Sequence, residues 1–192
     1  MIRALAAIAV SLAPALALAQ EPPKAGDLVA ALSGDWNGDG QPDAALITQA
    51  EGGDAGLSLY LGDPVFGLKR VVDRPHVIFS GPMGGQTPAL LPGSSSSFKL
   101  HQEQIGIGRT PWESTLSIAW RNGQFVLAGY SYQFYDRINP EHYGSCDVNL
   151  LAGNHELTLD GKTQKGRQDA RAFPISQLDA DYMPKICASL FQ

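Results

Sequence analysis

Positive charge is scarce in this sequence: 14 Lys and Arg stand against 19 Asp and Glu in 192 residues, and they form no cluster or stripe. A formal net charge of −5 repels a phosphate backbone, which argues against nucleic acid as a partner. Cysteine occurs twice, at Cys146 and Cys187, with no C-x-x-C, so neither a zinc knuckle nor dithiol redox catalysis is indicated. After residue 19 no apolar run approaches the roughly 20 residues that span a bilayer, so no membrane span is expected in the mature chain. G-x-S-x-G is absent, and the serine run Ser94 to Ser97 reads as a solvated loop. His155-Glu156 opens like the zinc motif H-E-x-x-H, but Leu159 fills its fifth position. His76, His101 and His142 stand alone, and nothing in the sequence selects a pair among Glu103, Glu113 and Glu141.

What is present begins with an export signal. Met1-Ile2-Arg3 is a short basic start, Ala4 to Leu16 is almost wholly apolar, and Ala17-Leu18-Ala19 is an A-x-A cleavage site before Gln20. Residues 1–19 are therefore read as a signal peptide and 20–192 as one domain, long enough for a real core. Removing Arg3, the one charge in residues 1–19, takes the net charge from −5 to −6. No cysteine follows the apolar stretch, so a lipoprotein anchor is not indicated, and a periplasmic or secreted location is expected. In an oxidising compartment two cysteines pair, so a Cys146–Cys187 disulfide is expected.

The densest chemical signal is Asp35-Trp36-Asn37-Gly38-Asp39-Gly40-Gln41-Pro42-Asp43. Asp35, Asn37, Asp39 and Asp43 offer side-chain oxygens at positions 1, 3, 5 and 9, and Gln41 offers its backbone carbonyl. Hard oxygen ligands in this number suit Ca²⁺, which takes 6–8 of them. Gly40 permits the sharp turn. An ordinary Asp/Asn/Gly turn without an ion is the competing reading. Position 12, where an EF-hand or a dockerin loop places an acidic ligand, is Leu46, which argues against both.

The run Gly34 to Leu46, with Leu57-Ser58-Leu59-Tyr60-Leu61-Gly62 after it, resembles one FG-GAP (VCBS-type) repeat over about residues 29–62. That resemblance implies a calcium loop joining two β-strands and a role in recognition or adhesion. A propeller needs four or more blades of about 40–50 residues, and no second D-x-[DN]-x-D-G occurs. The resemblance therefore does not imply a closed propeller.

Short apolar runs between turn residues predict a mainly β chain, an antiparallel twisted sheet or sandwich with the loop at one edge. Strands are expected over Asp27 to Leu32, Ala44 to Thr48, Leu57 to Leu61, Val148 to Leu151 and His155 to Leu159, after an extended lead-in from Gln20 to Gly26. Two separate pieces are expected at Val71-Val72 and Val77 to Phe79, with Pro75 between them. Asn122-Gly123 between alternating runs predicts a type I′ hairpin pairing Trp120 with Phe125 and Ile118 with Leu127. The same register pairs Ser117 with Ala128 and puts Tyr130, Tyr132 and Phe134 on the face opposite the core. Lys162 to Gln168 is expected to be a loop, and a short helix capped by Asp181 is expected near the C-terminus.

Function divides two ways. One reading is a non-catalytic, calcium-stabilised module that binds a glycan, a cell-wall component or an envelope protein. The other is a small hydrolase with structural calcium and an active site of dispersed His, Glu and Asp. An exposed strip of aromatics favours the first; close carboxylates or a His–carboxylate pair in a cleft favour the second.

Overall fold

The computed structural model describes residues 24–50, 52–167, 169 and 171–191. The signal peptide read at residues 1–19 and the cleavage site lie outside them. The chain forms two antiparallel sheets, neither closed into a barrel or propeller. The smaller is a meander of β1 (Leu28–Gly34), β2 (Asp43–Gln49), β3 (Ala55–Asp63) and β4 (Gly67–Ile78). The larger runs from β5 (Ala89–Pro92) and β6 (Ser97–Gln104) through β7 (Trp112–Arg121), β8 (Gln124–Tyr135) and β9 (Tyr143–Asn149). It ends on β10 (Asn154–Leu159) and β11 (Lys162–Arg167), and β12 (Phe173–Pro174) pairs with the start of β8.

The sheets share one hydrophobic core. Ile47, Leu57 and Leu59 from the small sheet join Phe98, Leu100, Ile118 and Leu127 from the large one, all fully buried. Each such side chain contributes about 1.5–3 kcal/mol on leaving water. Trp36, in the candidate calcium loop, reaches into this core and packs against Phe98 in a tilted arrangement, with ring centroids 4.6 Å apart.

The Asn122-Gly123 hairpin forms as predicted. Both residues have positive φ (51° and 79°), and Trp120 faces Phe125 and Ile118 faces Leu127. Beyond that the predicted register fails: Ser117 pairs with Gly129, leaving Ala128 as a bulge. One extra residue reverses the alternation. Tyr130 and Phe134 are therefore buried in the core, with Tyr132 packed against it, instead of lying on the opposite face. Ala119, Val126 and Ala128 form a small separate cluster with Ala172.

Five other expectations are corrected. Pro75 does not split β4: it sits on an edge strand, within a bulge where pairing jumps from Leu57–Arg74 to Ala55–Ile78. A missing N–H is tolerated there. Residues 162–167 form edge strand β11 rather than a loop, closed onto β10 by an Asp160-Gly161 turn with both φ positive. β9 starts at Tyr143 rather than Val148, and the lead-in ends in a 3-10 turn, Ala25–Asp27. The short helix expected near the C-terminus forms as a 3-10 helix, Cys187–Phe191, after a 3-10 turn at Ile175–Gln177, but it starts beyond Pro184 and is not capped by Asp181. Cys187 is bonded to Cys146 of β9, as expected, which fixes this segment against the large sheet. Among the described residues no helix is long and apolar enough to cross a membrane.

Candidate functional site

The loop between β1 and β2 is built around two of its carboxylates. Asp35 Oδ1 accepts from the amides of Gly38 (2.9 Å) and Asp39 (3.1 Å), and its Oδ2 from Gly40 (3.0 Å). Asn37 Nδ2 donates to Asp39 Oδ2 at 2.7 Å, and Asp39 Oδ1 accepts from the Gln41 amide at 2.8 Å. Gly40 has φ +83°, the sharp turn expected of it. Asp35, Asn37 and Asp39 are thus gathered on the outside of the loop, where Asp35 and Asp39 are exposed.

Asp43 sits differently. It is fully buried, its Oδ2 accepting from the Trp36 amide (2.8 Å) and its Oδ1 from the Gly62 amide (3.0 Å). It therefore ties the loop to the end of β3. Gly62 has to lack a side chain here, because a Cβ would lie 2.5 Å from the Pro42 carbonyl oxygen. The loop's three carboxylates do not form a set of ligand atoms within 4.8 Å of one another; among the described residues one set does, and it lies elsewhere. Asp35 Oδ1 and Asp43 Oδ2 each accept two N–H groups. Asp35 Oδ2, both Asp39 oxygens and Asp43 Oδ1 accept one and keep a second lone pair. Every donor is oxygen, a chemistry that fits a hard cation.

A second site lies on the large sheet, on the face turned away from the core. Alternation along the strands and the pairing register set polar residues in rows across it. One row reads His101, Thr115, Ser131, Asp147, Glu156, and the next Glu103, Glu113, Gln133, Ser145, Thr158. Three depressions, of about 460, 250 and 300 Å³, follow one another along β7, β8 and β9. The first two share Glu113, Gln133 and Ser145, and the last two share Thr115, Ser131 and Asp147. Together they form a groove of about 20 Å, from the Tyr135–Tyr143 pair to the Gly129–Asn149 pair. Tyr135 and Tyr143 are 48 % and 40 % exposed, so an aromatic pair stands open at one end. Within the groove, loss of solvent and then the charge of Glu156 lift the Asp147 carboxyl above its ordinary range.

At the flank of the groove His101 Nε2 lies 3.5 Å from Glu103 Oε2 and 3.9 Å from Glu113 Oε2. The structure thus selects Glu103 and Glu113 from the three glutamates the sequence left undecided, and Glu141 is not among them. The local signal was His101-x-Glu103 and Glu113-x-Thr115, two alternations that each fix a face. Their meeting depends on the β6–β7 register across residues 105–111, which no local pattern encodes.

On the core side a cleft of about 220 Å³ separates the large sheet from residues 178–183, lined by Phe79, Trp112, Tyr130, Tyr132 and Tyr182. Burial pushes the Tyr132 phenol up to about 12 and raises those of Tyr130 and Tyr182. These rings pack on one another: Tyr182 meets Tyr130 at 6.0 Å and Phe173 at 4.9 Å. They are packing aromatics, not an exposed strip.

No protein-family model, no curated protein and no solved structure matches the chain.

Proposed function

We propose that this chain is an exported, calcium-stabilised β module that recognises an extended polar ligand, a glycan of the envelope or cell wall, without transforming it. The observation that carries this reading is the continuous groove on the polar face of the large sheet, open to solvent and ending on Tyr135 and Tyr143. Hydroxyl, amide and carboxylate side chains along its floor match the hydrogen-bonding groups of a sugar chain. An exposed aromatic pair offers an apolar surface to a sugar ring, with the phenol oxygens at its wet edge. The disulfide supports an oxidising compartment, and the periplasm or the cell exterior follows from the signal sequence.

Calcium belongs to the scaffold in this reading. Asp35, Asn37, Asp39 and Asp43, with the Gln41 carbonyl, hold the ion, and its charge offsets the repulsion of three carboxylates in one turn. The likeness of this loop to an FG-GAP repeat supports both the ion and a recognition role. Because Trp36 of the loop packs on Phe98, ordering the loop steadies the contact between the two sheets.

One observation favours the hydrolase reading: His101 stands beside two carboxylates at the groove's flank. Such a group can serve general acid–base chemistry. The groups beside His101 are the Thr115 hydroxyl, 3.1 Å from Nδ1, and the two carboxylates. The length of the open polar groove and its aromatic end favour binding over this single cluster.

The experiment is a titration of the mature ¹⁵N-labelled protein with soluble peptidoglycan fragments and a panel of neutral and acidic oligosaccharides. Amide shifts confined to Ser131, Gln133, Ser145, Asp147 and their neighbours are expected for at least one of them. No shift with any of these probes, or shifts on the small sheet alone, would overturn the groove as the binding surface. Release of cleaved sugar would transfer support to the hydrolase reading.

A further inference from the structure

We infer that His101, Glu103 and Glu113 form a binding site for one divalent transition-metal ion of the zinc type. The site is separate from the calcium loop and does not depend on what the groove recognises. It rests on four observations at one place on the large sheet.

The first is charge. Glu103 and Glu113 lie directly opposite each other on β6 and β7, on the same face. Like charges in that relation destabilise a sheet unless a cation compensates them. No lysine or arginine pairs with either among the ion pairs of the described residues; the group that faces both is His101.

The second is distance. One ligand atom from each of the three side chains lies within 4.8 Å of the other two. The separations of 3.5 and 3.9 Å from His101 Nε2 are too long for hydrogen bonds, which for nitrogen and oxygen fall near 2.7–3.2 Å. They suit ligands of a shared ion: bonds of about 2.0–2.2 Å in a tetrahedron set ligand atoms roughly 3.4 Å apart.

The third is orientation. His101 Nδ1 lies 3.1 Å from Thr115 Oγ1, the residue opposite it on β7. With Nδ1–H donating to that hydroxyl, the lone pair of Nε2 is on the side of the two carboxylates. Histidines that bind metals are held in this way by a partner on the other ring nitrogen. Three electron-rich atoms then face one another, an arrangement a cation stabilises.

The fourth is access. The His101, Glu103 and Glu113 side chains are 20 %, 23 % and 35 % exposed, so the site is partly desolvated yet reachable. Glu113 also lines two of the three depressions of the groove. One imidazole and two carboxylates make three protein ligands, which leaves a coordination position for water or for an oxygen of a bound molecule. Imidazole selects zinc and its neighbours over calcium and magnesium, whereas the all-oxygen loop selects the reverse.

The test uses tag-free mature protein stripped with a chelator. Calorimetric titration with Zn²⁺ is expected to give one equivalent per chain, undiminished by millimolar Ca²⁺, and Co²⁺ is expected to give the visible absorption of a low-coordinate site. His101→Gln and Glu113→Gln should each weaken Zn²⁺ binding at least 100-fold, and Thr115→Val about 10-fold, in line with loss of an outer partner. Asp39→Ala should leave Zn²⁺ binding unchanged. The three sheet variants remove charge or polarity from a solvent face, and far-UV circular dichroism confirms that each is folded. Absence of Zn²⁺ binding overturns the site, as does binding that His101→Gln and Glu113→Gln leave intact, since the ion would then sit elsewhere, for instance at His142 and Asp160. A glycan titration that fails while Zn²⁺ binds as stated removes the recognition reading and leaves this one standing.

Discussion

The indole of Trp36 lies on the ring of Phe98, with centroids 4.6 Å apart, so a residue of the candidate calcium loop is part of the core that joins the two sheets. Trp36 is the second residue of the nine-residue loop, and its own amide donates to buried Asp43. Loop geometry and core packing are therefore one problem. Trp36→Ala should cost about 3–5 kcal/mol, the range for truncating a buried large aromatic. Chemical denaturation checks it, and a loss below about 1 kcal/mol would mean that the core closes without this contact.

The hairpin between β7 and β8 makes a sharper demand on one residue. Gly123 has φ +79°, which a β-branched side chain resists. Gly123→Val should lower stability by about 1–2 kcal/mol, the cost of a left-handed backbone in an L-residue. Gly123→Asn should lose less. Equal melting temperatures for the valine variant and the wild type would contradict the turn.

The distribution of what could be read from the sequence follows the range of the forces involved. Asn122-Gly123 and the first two pairs of the hairpin were legible because a two-residue turn specifies its neighbours. The bulge at Ala128 was not, since it depends on how Tyr130 and Phe134 pack across the sheet. Strand β11 carries no buried residue, so it left no hydrophobic alternation to find. The short C-terminal helix is legible but its start is not: Tyr182 is docked on Tyr130 and Cys187 is tethered to β9, and the helix begins at Cys187 rather than after Asp181. The loop residues could be named individually, whereas the groove and the His101 cluster are made by registers among five strands.

Acid should act on the molecule through Asp136. Arg109 donates to both of its oxygens, and the Ile138 and Asn139 amides donate to Oδ1. Arg109 first, then the Ile138 amide, hold the carboxyl far below the ordinary Asp range. A carboxyl depressed in the folded state contributes stability that is fully present above the unfolded value near 4 and is lost as pH falls below it. The melting temperature should therefore drop on acidification below about pH 4, and less steeply in Asp136→Asn. Parallel curves for the two proteins would show that this pair does not govern acid stability.

Reduction is predicted to loosen the C-terminal segment. The Cys146–Cys187 bond closes a loop with a sequence separation of 41, for which the chain-entropy account gives about 4 kcal/mol as an upper figure. Cys146→Ala/Cys187→Ala should be destabilised by up to that amount. Proteolysis should begin within residues 175–191; first cleavage in β6 or β7 would argue against a locally tethered segment.

The proposed binding groove ends on the exposed pair Tyr135 and Tyr143. Tyr135→Ala and Tyr143→Ala should each reduce affinity for a responding oligosaccharide about 10-fold and leave the melting temperature within about 1 °C. Unchanged affinity in the double variant would remove the pair from the binding surface.

Calcium is the central claim, and a thermal melt tests it directly. Mature protein is melted in excess chelator and in millimolar Ca²⁺, beside Asp39→Ala. At free Ca²⁺ 100 times the dissociation constant, binding to the folded state alone adds about 2.7 kcal/mol. The predicted result is a clear rise in melting temperature with Ca²⁺ in the wild type, no such rise in Asp39→Ala, and the same cooperative unfolding of the sheets in both. Superimposable wild-type curves in chelator and in calcium, with no heat on Ca²⁺ titration, would contradict the account and leave residues 35–43 an ordinary Asp/Gly turn.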